Sequence, residues 1–158
     1  MRLLLRALAS ALLCAHAHAA VVRPAPNFTF PGPGKTLSLK GLRGQAVVLV
    51  IADSPRLRPF RKQLERLEEI YSQFASKQVL FVAALREGAG PIRSNIPFAV
   101  ANKGPQVAES FGVEEKFQLV IIGKDGNIDY QTDTVCTGQR VADVIQNSFA
   151  VQARTRKP

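Results

Sequence analysis

Few side chains in this sequence could make or break bonds, and most of those few crowd one end. Of 158 residues, two are histidine and two are cysteine. His16, His18 and Cys14 all fall within the first nineteen positions. That stretch has the order of an export signal: the basic Arg2 and Arg6, a short apolar run through Leu13, then small residues at Ala17-His-Ala19, with Ala15-His-Ala17 as a second cleavage option. The apolar run falls short of the roughly 20 residues a membrane span needs. Leu13 stands before Cys14 where a lipoprotein signal needs a small residue, so no lipid anchor is expected. Loss of residues 1–19 would leave no histidine, no tryptophan and one thiol, Cys136. Such a chain has no His general base, no Ser-His or Cys-His nucleophile pair, no His/Cys zinc site and no internal disulfide.

The remaining candidates are charged. Asp53, Ser54, Arg56, Arg58, Arg61 and Lys62 cluster just ahead of, and inside, a helix-like pattern. Cations there oppose the helix dipole. The plain expectation is that Asp53 or Ser54 caps the helix while the basic groups are solvated. The sharper one is an anion site, where helix N–H groups and arginines converge. Cys136 reads either as a buried, structural thiol or as one that pairs with another chain. Glu65 and Glu69 share a helix face and are expected to meet Arg61 and Lys62 rather than do acid–base work. No residue pattern calls for a metal or cofactor.

These residues must be positioned by the elements around them. With 46% hydrophobic residues the chain can bury the core of one ordinary domain. Gln45–Ala52 is apolar without alternation and β-branched, a strand covered on both faces. Leu57, Phe60, Leu64, Leu67, Tyr71 and Phe74 recur at helical steps, with Pro59 tolerable only in the first turn. Val79–Ala84 is a second buried strand, which completes a β-α-β unit. Arg86–Asn95 reads as a polar loop, Ile96–Val100 as a short strand and Gln106–Phe111 as a short helix. Phe117–Ile122 and Asn127–Thr132 form a hairpin about Gly123–Gly126. Val141, Val144, Ile145 and Phe149 mark a closing helix. Near the start, Asn27–Phe30 and Lys35–Leu39, separated by Pro31-Gly-Pro-Gly34, suit an edge hairpin. Asn27-Phe28-Thr29 is also a glycosylation sequon, meaningful only in a eukaryotic secretory pathway. A mixed α/β sheet with helices on both faces follows. The expected organisation is a leader at 1–19, one domain at 20–152 and a basic tail at 153–158.

This order resembles the thioredoxin-like superfamily, and within it the redoxins: exported TlpA-type proteins and peroxiredoxins. Ala25-Pro-Asn-Phe28 resembles the opening AP-x-F, and Leu39–Val50 the SL-x-x-L-x-G-K-x-V-V-L run. Ile96-Pro-Phe98, Phe111-Gly-Val113 and Ile122–Ile128 resemble the landmarks PF, YGV and ID-x-D-G-x-I. Leu67-Glu-Glu-Ile-Tyr71 is similar to the segment that follows the family's C-x-P-C-R. Counting back puts Leu57-Arg-Pro-Phe-Arg61 on that motif, with a small insertion just ahead of it. Proline and arginine are kept, while Leu57 and Phe60 stand in place of the two cysteines. No Thr-x-x-Cys of a peroxidase precedes the helix. The family's proline before the third strand is replaced by Phe117 or Gln118. Asp53-Ser-Pro-Arg-Leu57 and the Gly123–Gly126 turn are similar to a cysteine-free branch of the fold, of unknown function, found in bacterial envelope and sushi-repeat proteins.

The resemblance implies a thioredoxin-like fold with an N-terminal hairpin and no thiol couple. The expected role is a redox-inactive binding module, secreted or periplasmic, whose partner is a protein, a peptide or an anionic envelope component. The formal net charge of +9 fits attraction to anionic surfaces, and export argues against nucleic acid. The competing expectation is a thiol-dependent oxidoreductase or peroxidase that uses Cys136. A third is an envelope-surface protein held by charge alone, which high salt would release.

Overall fold

The computed structural model describes residues 23–74, 79–88 and 90–155, with side chains as far as Val151. The leader at 1–19 with Cys14, and residues 156–158 of the basic tail, lie outside the described residues. The elements follow in the order β1 Thr29–Gly32, β2 Lys35–Ser38, β3 Ala46–Ala52, α1 Arg58–Phe74, β4 Val79–Leu85, β5 Phe98–Val100, α2 Gly104–Ser110, β6 Phe117–Ile122, β7 Ile128–Thr132 and α3 Gly138–Thr155. The main sheet has the order β5-β4-β3-β6-β7, while β1 and β2 form a separate two-stranded sheet. β4 runs parallel to β3 and β5, and β6 runs antiparallel to β3 and β7.

The unbroken apolar run of β3 is explained by its place at the centre. Side chains alternate across a strand, so both sets need an apolar cover. Ala46, Val48, Val50 and Ala52 pack with Phe60, Leu64, Leu67 and Ile70 of α1 and with Val141 and Ile145 of α3. Val47, Leu49 and Ile51 face the other way, onto Phe28, Phe30, Val107 and Phe111. α1 and α3 therefore cover one face, and α2 with the hairpin covers the other. The Phe28 and Phe111 rings lie 6.2 Å apart, and Asn102 N–H donates to the Thr29 carbonyl at 2.7 Å. The expected hairpin is present, but it lies over this second face as its own sheet.

Among the boundaries that differ from the sequence reading by a residue or two, two have a plain local reason. β5 starts at Phe98 rather than Ile96, because Pro97 has no N–H to give a ladder. α2 starts at Gly104 rather than Gln106: Pro105 suits its first turn, and only glycine lets the chain touch the Leu85 carbonyl here. α3 runs from Gly138 to Thr155. Its first residue, Gly138, sits against the Arg66 carbonyl, where a Cβ would collide. That contact brings α3 close across α1. Among the described residues no helix is long and apolar enough to cross a membrane.

Candidate functional site

The parallel register of β3 and β4 places Ala52 beside Leu85. The residues that follow, Asp53 and Arg86, are thereby brought together at the strand ends. Arg86 Nε donates to Asp53 Oδ1 at 2.6 Å, Nη2 to the Glu115 carbonyl at 2.6 Å and Nη1 to the Val113 carbonyl at 3.3 Å. Backbone bonds tighten the junction: Asp53 N–H to the Lys116 carbonyl at 3.0 Å, and Glu87 N–H to the Asp53 carbonyl at 2.7 Å. One guanidinium thus fastens the segment after β3 to the one before β6. The Asp53 carboxylate faces Arg86, not the start of α1, which corrects the expectation that it caps the helix.

Ser54 does not cap it either. Its Oγ accepts from Arg56 N–H at 3.1 Å and its carbonyl from Leu57 N–H at 3.2 Å, shaping a turn ahead of the helix. The Leu57 carbonyl takes the first helical bond, from Arg61 N–H at 3.1 Å. Leu57 therefore holds the cap position with a side chain that can accept nothing. Pro59 lies in the first turn, and that turn contains no acidic residue. The two positions aligned with lost cysteines differ: Leu57 is half-buried at the surface of the core, and Phe60 is 1% exposed within it. Neither side chain can ionise or carry electrons.

Beside this helix start lies a cleft of about 400 Å³, between α1 and the loop that follows β4. The loop touches the helix region at two places. Gly90 abuts the Pro55 ring, and Ser94 Oγ and Asn95 N–H donate to Glu68 Oε1 at 2.8 and 2.9 Å. Between them the cleft exposes Arg56, Arg61 and Arg93 above Phe60 and Leu64. Of the expected cluster, Arg56 and Arg61 line the cleft; Asp53, Ser54 and Arg58 do not. Glu68 and Arg93 were not expected in it. The only sequence signal for either is Glu68's place one turn beyond Leu64, and nothing local marks Arg93. Lys62 pairs with Glu65 at 3.1 Å and Arg66 with Glu69 at 2.7 Å. The Lys62–Glu65 pair matches expectation, whereas Glu69 meets Arg66 instead of Arg61 or Lys62, because three residues bring it onto the same face.

Cys136 lies in the segment that leads into α3, held against the second turn of α1. Gln63 of α1, fully buried, holds both the backbone N–H and the carbonyl of Cys136. Gln63 Oε1 accepts from Cys136 N–H at 2.7 Å, and Nε2 donates to its carbonyl at 3.1 Å. The thiol is free and 7% exposed. Burial pushes it above the usual thiol range, outweighing the Tyr130 hydrogen bond and the Arg140 charge that pull it down. That environment disfavours the thiolate, the form that reacts. Among the described residues no three His, Cys, Asp or Glu side chains come together as a metal site.

No protein-family model matches the chain, and no curated protein matches it by sequence. The resemblance to the cysteine-free branch gains nothing from those comparisons. Solved structures do match. A Neisseria meningitidis protein assigned as a thioredoxin superposes with a TM-score of 0.65 at 21% identity, over 81% of this chain and 91% of its own. The fold is thioredoxin-like. Plasmodium yoelii thioredoxin peroxidase I gives 0.62 at 15% identity, over 85% and 92%. The exposed lipoprotein thioredoxin Etrx1 of Streptococcus pneumoniae gives 0.57 at 18%, over 77% and 99%. Thioredoxins and a thioredoxin peroxidase are thus both among the neighbours. At these identities the likeness is one of fold.

Proposed function

We propose that this chain is an exported thioredoxin-like domain without thiol chemistry, which works by binding. The observation that carries the reading is the filled helix start: Leu57 holds the cap of α1 and Phe60 is shut in the core, where the resemblance expects a reactive couple. The buried, clasped Cys136 supports it, since its thiol is on another segment than the aligned positions and is biased toward the protonated form. Export is supported by the n-, h- and c-like order of residues 1–19. A protein or peptide partner, or an anionic envelope component, is supported by the basic charge and by the open cleft beside α1. The test is thiol-dependent reduction of insulin and consumption of peroxide, with Cys136→Ser as control. No turnover above background is expected from either protein. Turnover that vanishes in Cys136→Ser would replace this reading with an oxidoreductase that uses a displaced nucleophile.

A further inference from the structure

The cations around α1 divide into two groups. Lys62, Arg66 and Arg86 each have a carboxylate partner. Arg56, Arg58, Arg61 and Arg93 have none among the described residues, and all but Arg58 line the same cleft. The two acids that also line it are already supplied with donors: Glu65 by Lys62, and Glu68 by Ser94 and Asn95. With Glu65 paired to Lys62, the charge of the cleft is set by three arginines against the single carboxylate of Glu68, which favours an anionic occupant. Its accessible apolar lining is Pro55 and Pro91 at the rim, with Phe60 and Leu64 buried beneath. The loop wall is held to α1 by the Ser94 and Asn95 hydrogen bonds to Glu68, so the cleft is formed in the folded chain itself. Its volume suits one or two side chains, at the small end of ligand sites of about 300–1,000 Å³.

We infer that this cleft takes a short acidic peptide segment, an apolar side chain resting between Pro55 and Pro91 while flanking carboxylates reach Arg56, Arg61 and Arg93. This rests on the reading of the domain as a binding module and assigns its site and partner chemistry. Guanidinium groups suit carboxylates because they offer paired donors in a fixed plane. The chain's overall basic charge would steer acidic partners toward it. The site lies along the flank of α1, so it does not need the sulfur that is missing from the helix start.

The sequence has no tryptophan, so acetyl-Glu-Trp-Glu-Glu-amide can be followed by its own fluorescence anisotropy. Titration into the full-length protein, with amide shifts mapped by NMR, should perturb residues 55–68 and 90–95. Arg56→Gln with Arg61→Gln should weaken binding about tenfold or more, and raised salt should do the same. Arg58→Gln, outside the cleft, should leave the affinity unchanged, and acetyl-Gln-Trp-Gln-Gln-amide should not bind. All the arginines changed are exposed, so thermal melts should confirm intact folding. No binding, shifts centred elsewhere, equal binding of the glutamine peptide or equal weakening by Arg58→Gln would each overturn the inference. Its failure is separable from that of the broader reading. Thiol turnover would remove the redox-inactive role with the peptide result standing, and absent peptide binding would remove only the cleft.

Discussion

At the start of α1, the chain leaves β3, turns through Ser54 and enters the helix with Leu57 at the cap and arginines in solvent. At the segment before α3, the one described thiol lies in the core with its backbone N–H and carbonyl gripped by Gln63. The first region has a helix N-terminus, open space and positive charge, which favour a thiolate. It has no sulfur. The second region has the sulfur and lacks exposure and a net pull toward ionisation. Thiol reactivity is a property of a residue in a place, and here residue and place are separated.

The largest effects should come from the buried members of each region. Phe60→Ala should cost about 3–5 kcal/mol in denaturant unfolding, whereas Leu57→Ala, half-buried, should cost about half as much or less. Equal costs would mean that the two positions are not divided between core and surface. Gln63→Ala should cost about 2–4 kcal/mol, because it strands a buried N–H and a buried carbonyl and leaves a cavity. The same variant should make Cys136 faster to alkylate, and an unchanged rate would show that the clasp does not guard the thiol.

The strand-end junction should matter less. Asp53→Ala removes one partner of a partly buried ion pair but leaves Arg86 with the Val113 and Glu115 carbonyls. A loss of about 1–2 kcal/mol is expected in denaturant unfolding. A loss near zero would show that Arg86 needs only the carbonyls.

The smallest effect is set by pH at the far hairpin. Burial pushes the Asp129 carboxyl up; the Ser148 hydrogen bond pulls it down, and nearby Asp125 adds to the rise. A carboxyl raised on folding contributes stability that is complete below its unfolded value and lost as pH climbs through the folded one. Asp129→Asn should therefore raise the melting temperature slightly near pH 7 and give no gain near pH 3. A gain that persists in acid would rule out titration as its source.

Much of this architecture could be read from residue patterns, because β3, β4 and β6 are buried on both faces and α1 has a clean helical stripe. Each carries its signal within its own span. The site was less legible because it is made between spans. Asp53 and Arg86 are 33 residues apart and meet only because Ala52 and Leu85 are register partners. The cleft needs the loop after β4, which is held by Ser94 and Asn95 on Glu68. Gln63 left a trace: it is a polar residue on the apolar stripe of α1, between Phe60 and Leu64. Such a residue in the core must have a partner, and the stripe alone does not show that the partner is the backbone of Cys136.

The most direct test of the central claim is the rate of Cys136 alkylation by iodoacetamide against pH, in the folded protein and in denaturant. Slow reaction is expected in the folded protein near pH 7, at least about tenfold below the denatured chain, with a rise only at more alkaline pH than an ordinary thiol shows. A folded-state rate near pH 7 that equals or exceeds the denatured one would contradict it, since the thiol would then be both exposed and ionised.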